Sequence, residues 1–278
     1  MTQRVLLTGA TGFVGRHVLA ALQSAGADVR LVIRTGTAGR LAAGAPEDRV
    51  NTPDLFAESA AWWREACRGI DTVIHAAWYA EPGKYLQSPL NLDCLQGTLQ
   101  LARGAAQAGV RRFVGVGTCF EYDLSVGKLS VDTPLRPSTP YAGAKAAAYF
   151  SLANWLPTQN VAFAWCRLFY LYGEGEDARR LVPYVRARLA AGQTVELTSS
   201  NQIRDFLDVA QAGRLIVGTA LGSHSGAVNI CSGIPVTVKE VVEGIAREYG
   251  RPDLLQFGVR PDNITDPPCV VGIVQESR

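Results

Sequence analysis

Apolar positions follow two different spacings along this chain. Residues 5–8 are an unbroken apolar run ending in TGATGFVG, after which Val14, Val18, Leu19 and Leu22 recur at helical spacing as far as Ser24-Ala25-Gly26. The pattern predicts a strand, a glycine turn and a helix. Residues 29–33 and 71–75 read as further buried strands, 91–108 as a helix closing at Gly109, and 112–116 as the strand that helix feeds. A helix is predicted to start at Pro140, whose fixed φ and missing N–H suit a first helical turn, and to run until Pro157. Residues 161–169 are predicted as a strand. Beyond Gly173 the pattern loosens into a helix over 181–191, a strand over 194–197 and a helix over 237–249. Parallel strands need crossover helices between them, so this alternation predicts a doubly wound α/β sheet with a smaller carboxyl-terminal lobe.

Composition narrows the class. The 278 residues are 47% apolar and 19% charged, as in ordinary globular proteins, and no repeat or low-complexity tract interrupts them. Lys and Arg number 27 against 25 Asp and Glu, a formal +2 that supplies no field to hold nucleic acid. Six dispersed cysteines show neither a C-x-x-C pair nor metal-ligand spacing, so no metal is expected and buried, reduced thiols are. The chain enters a strand at once, and no apolar run reaches the roughly 18 residues a membrane span requires, so a soluble cytoplasmic protein is expected.

Gly9, Gly12 and Gly15 are spaced G-x-x-G-x-x-G between a strand and a helix. At such a turn, phosphates meet free backbone N–H groups and the positive end of the helix dipole, and glycine permits close approach. Dinucleotide binding is therefore expected. An acid would ordinarily hold the adenosine ribose at the end of the second strand, but Arg34 stands there. A guanidinium suits a 2′-phosphate, which favours NADP(H) and leaves NAD as the alternative. Asp54, after the region of the third strand, is placed either to touch adenine or to cap the next turn.

Tyr141 and Lys145 lie one turn apart on a single helix face. A phenol titrates near about 10, and a neighbouring ammonium is expected to lower it toward acid/base use. Thr118, at the end of the 112–116 strand, offers a hydroxyl to the same carbonyl.

These segments, together with DTVIHAAW, VGVGTCFEYD, PYAGAK, RLFYLYGEG, QIRDFLDV and NICSG, resemble in order and distance the extended short-chain dehydrogenase/reductases: nucleotide-sugar epimerases, dehydratases and ketoreductases. The resemblance implies a Rossmann NAD(P) domain over residues 1–172, and a sugar-nucleotide lobe over 173–278 whose chain interleaves with it. It implies a catalytic triad of Thr118, Tyr141 and Lys145, and a cofactor lined also by Thr11, Phe13, Val14, Leu55, Ala76 and Ala77. His75 is expected to be a buried, satisfied histidine, and the helices after Asn91 and Tyr141 to form a homodimer surface. The family's last helix has no counterpart in PPCVVGIVQESR.

Departures sharpen the expectation. Where the family's 4,6-dehydratases carry an Asp-Glu pair for removing water, Cys119 and Phe120 stand, so dehydration is disfavoured. Tyr170 replaces an asparagine that helps hold substrate phosphates in the 4-epimerases. Arg204 and Arg260 match family arginines that bind the nucleotide diphosphate. The expected activity is therefore 4-ketoreduction of a nucleoside-diphosphate sugar in deoxysugar or polysaccharide synthesis, with a 4-epimerase holding NAD as the alternative. A non-catalytic NADP-sensing protein of the same fold is the alternative of another class.

Overall fold

The computed structural model describes residues 3–263 and 265–275. Its first half runs β1 (Arg4–Thr8), α1 (Phe13–Ser24), β2 (Asp28–Arg34), β3 (Arg49–Thr52), α2 (Ala60–Ala66), β4 (Thr72–His75), α3 (Leu90–Gln107), β5 (Arg112–Thr118), β6 (Lys128–Leu129) and α4 (Pro140–Trp155). The second half runs β7 (Ala162–Leu168), β8 (Tyr170–Tyr172), α5 (Leu181–Ala190), β9 (Val195–Glu196), β10 (Ile203–Arg204), β11 (Phe206–Asp208), α6 (Val209–Leu221), β12 (Gly226–Ile230), β13 (Val236–Thr237), α7 (Val238–Glu248), β14 (Leu255–Gln256) and β15 (Cys269–Gly272).

Seven parallel strands form one sheet in the order β12-β7-β5-β4-β1-β2-β3. The apolar run of β1 follows from burial on both faces. Val5 and Leu7 pack with Val18 and Leu22 of α1 and Ile216 of α6, whereas Leu6 packs on the other face with Trp63 of α2, Leu101 of α3 and Leu152 of α4. This is the Rossmann-like α/β fold that the alternation of elements predicts. Sequence order reverses at β1 and β4, so connections leave in opposite directions there and a crevice opens beyond the strand ends.

Several elements escape the periodicity reading, among them α2, α6, β12 and the short strands of the outer lobe. Helix α6 is capped by Asp208, which accepts from the N–H groups of Ala210 and Gln211, and it buries Val209, Ala212, Ile216, Val217 and Ala220 at helical spacing. Strand β12 then returns to pair with β7 at the edge of the large sheet. The outlying chain builds a sheet in the order β13-β10-β15-β6, beside the pairs β8/β11 and β9/β14. Asp205 anchors it: fully buried, its carboxylate accepts from Ser232, Gly233 and Gly272 N–H groups and from the Ser232 hydroxyl. No helix among the described residues is long and apolar enough to cross a membrane.

Candidate active site

Beyond β1 the backbone turns at Gly9 with φ +82°, and the Gly12 N–H closes the turn on the Gly9 carbonyl at 2.9 Å. A Cβ on Gly15 would fall 2.0 Å from the Gly9 oxygen, and one on Gly9 would fall 2.7 Å from the Ala77 nitrogen. The turn is thereby packed against Ala76 and Ala77 at the end of β4. Its helix, α1, has no side-chain cap and no acid in its first turn, so the N–H groups around Thr11, Phe13 and Val14 keep their positive end uncompensated. Main chain without side chains beside an uncapped helix start fits a dinucleotide pyrophosphate.

Thr8 and His75 lie directly beneath. The His75 ring bonds the Thr8 hydroxyl at 2.8 Å and the Thr98 hydroxyl at 2.9 Å. Burial pulls its pKa down to about 3, and the Lys145 charge acts in the same direction. His75 is thus a satisfied neutral core histidine, as expected. Arg34 is exposed at the end of β2, one strand outward from the turn. Asp54 caps its own turn by accepting from the Phe56 N–H at 3.0 Å, and Leu55 packs into the core beside α2.

Thr118 ends β5, while Tyr141 and Lys145 project from the first turns of α4, which Thr139 caps at the Ala142 N–H. The Lys145 ammonium donates to the Val116 carbonyl at 2.5 Å and lies 3.7 Å from the centroid of the Trp78 ring. Burial lowers its pKa from the ordinary 10.5, against the pull of Glu121 and Cys94. The Tyr141 ring meets Tyr85 edge-on at 4.8 Å and Trp78 at 6.5 Å. Burial pushes the Tyr141 phenol well above 10, Tyr85 adds to the rise, and the adjacent Thr118 hydroxyl works against it. The lowering expected from Lys145 is not found: desolvation sets the direction, and the phenol keeps its proton.

Glu121 holds Thr118 from behind. Its fully buried carboxylate accepts from the Thr118 N–H at 2.8 Å, from the Trp165 indole at 3.0 Å and from Arg167 at 2.7 Å. The Thr118 hydroxyl in turn accepts from the Phe120 N–H, completing a reciprocal cap. Thr118-x-x-Glu121 is itself a capping-box sequence, a signal that would have found Glu121. Trp78 and Tyr85 carry no comparable local signal.

The structure brings four of the five expected sugar-side residues together. Cys119 is buried, its thiol pushed up to about 12 by desolvation and the Glu121 charge, and so stays a neutral wall. Phe120 meets Tyr170 edge-on at 6.2 Å, and the Arg204 guanidinium lies 5.3 Å from the Tyr170 centroid. Arg204 is 3% exposed and has a charge contact with Asp266 at 2.7 Å. Arg260 is exposed in a different neighbourhood, donating to the Tyr184 hydroxyl at 2.8 Å and lying 3.9 Å from Glu196. All six cysteines are free thiols, and Cys269 alone of them is less than fully buried.

The model of the NAD dependent epimerase/dehydratase family matches residues 5–231. The chain is 25% identical over 272 residues to the dTDP-6-deoxy-L-talose 4-dehydrogenase (NAD(+)) of Aggregatibacter actinomycetemcomitans, covering 96% of this chain and 98% of that one. It is 28% identical over 275 residues to the dTDP-6-deoxy-L-talose 4-dehydrogenase (NAD(P)(+)) of Kitasatospora kifunensis, covering 93% and 83%. Among solved structures it resembles MoeE5 in complex with UDP-glucuronic acid and NAD, with a TM-score of 0.80, 28% identity, and 98% and 90% of the two chains covered.

Proposed function

Starting from the fact that the chain belongs to the NAD dependent epimerase/dehydratase family, we propose that it is an NAD(P)-dependent 4-ketoreductase of nucleoside-diphosphate deoxysugars. Tyr141 and Lys145 both lie against Trp78, with Thr118 beside the phenol at the end of β5, and this juxtaposition carries the reading. A bound dinucleotide would supply the hydride chemistry, held by the bare backbone of Gly9, Gly12 and Gly15.

The chain's own groups handle the proton. A phenol that keeps its proton is the starting state for giving one to a ketone oxygen as negative charge develops there. Lys145 offsets the charge left on the phenolate, and Thr118 donates a second hydrogen bond to the oxygen. Cys119 and Phe120 carry no group able to remove a proton and expel water at this site, which argues against dehydration. Arg204 is the diphosphate anchor in this reading, a buried guanidinium suited to paired charged hydrogen bonds. The two talose dehydrogenases point to the same reaction class, read in its reverse direction.

Arg34 favours NADPH, since its exposed guanidinium stands where an acid would select the unphosphorylated ribose. We further propose a homodimer through α3 and α4, whose outer faces expose Leu92 and Phe150. The test is to mix the purified protein with NADPH and a panel of 4-keto-6-deoxy nucleotide sugars and to follow loss of nicotinamide absorbance. Oxidation with one of them supports the proposal. No oxidation with any, alongside epimerised product from a UDP-sugar, would replace the reductase with an epimerase.

A further inference from the structure

Lys145 is 3% exposed, yet among the described residues no carboxylate contacts its ammonium, and Glu121 is paired with Arg167 instead. A bare buried ammonium is costly, and such groups are ordinarily paired. The two contacts it has are one carbonyl, that of Val116 at 2.5 Å, and the face of the Trp78 indole at 3.7 Å. Trp165 is more distant, with its ring centroid 5.9 Å away. The indole is itself locked: its N–H donates at 2.9 Å to Asn91, a fully buried side chain whose amide group in turn donates to the carbonyls of Tyr85 and Ser88. The Trp78 ring also stands edge-on to Tyr141, so one indole touches both members of the pair.

From this geometry we infer that Trp78 is a positioning residue for the proton-transfer machinery: its π face, aimed by Asn91, supplies the attraction that keeps the buried Lys145 ammonium charged. The ionisable groups around it do not do so at contact range. His75 on β4 is neutral, because burial holds its pKa at about 3. The Cys94 thiol on α3 is pushed up to about 11 by burial and stays protonated at neutral pH. Tyr141 on α4 keeps its proton. Glu121 raises the Lys145 pKa from a distance, but its carboxylate is committed to Arg167, Trp165 and the Thr118 N–H. Removing the indole face therefore makes the ammonium release its proton at lower pH.

Four lysines in the chain make the measurement direct. Isotope-edited NMR of the lysine ε-carbons, with Lys145→Arg assigning the resonance, follows its titration in the cofactor-free protein. Trp78→Leu is expected to lower the midpoint by about one pH unit, and Trp78→Phe, which keeps a weaker π face, by less. Thermal melting checks that each variant folds. If the Leu variant does not fold, the Phe variant decides alone: a smaller fall supports the inference and an unchanged midpoint overturns it. An unchanged or raised midpoint in a folded Leu variant also overturns it, since it would mean that entering water solvates the ammonium as well as the indole did. The catalytic consequence rests on the proposed reductase reading: the alkaline limb of kcat/KM for reduction should move down in the same order. A shifted titration with no reductase activity in wild-type protein would sink the reductase reading and leave the role of Trp78 standing.

Discussion

At the amino-terminal side of the crevice the wall is main chain, with Gly9 and Gly15 so close that a single added Cβ at position 15 would fall 2.0 Å from a carbonyl oxygen. At the carboxyl-terminal side it is side chain: Arg204 rests on Tyr170 and faces Asp266 across 2.7 Å, and Phe120 abuts Tyr170. Main chain suits a ligand part common to many proteins, such as the proposed pyrophosphate, and leaves no room for a Cβ at Gly9 or Gly15. Side chains on short strands suit a varied ligand part, as in the proposed sugar side, and lie outside the large sheet. Thr118, Tyr141 and Lys145, the proposed triad, sit where the two walls meet, rooted in β5 and α4.

Substitutions separate the two constructions. Tyr141→Phe removes the transferable proton and should lower turnover by roughly 10²- to 10⁴-fold. Dinucleotide affinity measured by calorimetry should hold, and unchanged turnover would remove the phenol from the mechanism. Gly15→Ala should damage the main-chain wall outright. Overpacking of this kind costs about 1–3 kcal/mol, so a fall in Tm should accompany loss of dinucleotide binding, and a variant that binds normally would show that the wall yields. Arg204→Met should leave dinucleotide affinity near wild type and, by unpairing Asp266, lower the Tm, while raising KM for the nucleotide sugar about 10- to 100-fold, the worth of a hydrogen bond to a charged group.

Smaller effects test finer points of the contrast. Arg34→Asp should shift the ratio of NADPH to NADH efficiency by about tenfold, one charged hydrogen bond; an unmoved ratio makes this arginine a bystander. His75 sits under the main-chain wall with a folded pKa of about 3 against 6.5 unfolded. Between those values the unfolded chain binds the extra proton, so stability falls as pH drops from about 6.5 toward about 3. His75→Gln should flatten that slope in chemical denaturation measured across the same window, and a slope that stays put would assign acid sensitivity to other groups.

Legibility followed the same division. Strands β1, β4 and β5 and helices α3 and α4 were readable because burial on both faces, or on one helical stripe, forces a periodic apolar pattern. The glycine turn was readable because only glycine satisfies it. Helix α6 had a usable signal in Asp208 followed by its apolar stripe, weakened by the low helix propensity of Gly213 and Gly218, although Gly213 is where α6 packs against His17 of α1. The two-residue strands of the outer lobe are too short for any period to show. Tyr141 and Lys145 could be read from their spacing, but the direction of the phenol shift could not, because desolvation depends on Tyr85 and Trp78, which arrive from a loop far along the chain. Trp78 is a lone aromatic with nothing local to mark it.

Strand β12 has a consequence for how the molecule is made. It is the last strand of the large sheet to be synthesised, and it lies on the outer edge of β7, with α6 laid over the same face as α1. Until residue 230 has emerged from the ribosome, β7 presents unpaired N–H and C=O groups to whatever is nearby. A gene cut after residue 172 would therefore yield a fragment with a sticky border instead of a free-standing nucleotide module, and co-expression of the remainder should recover solubility by supplying the missing edge.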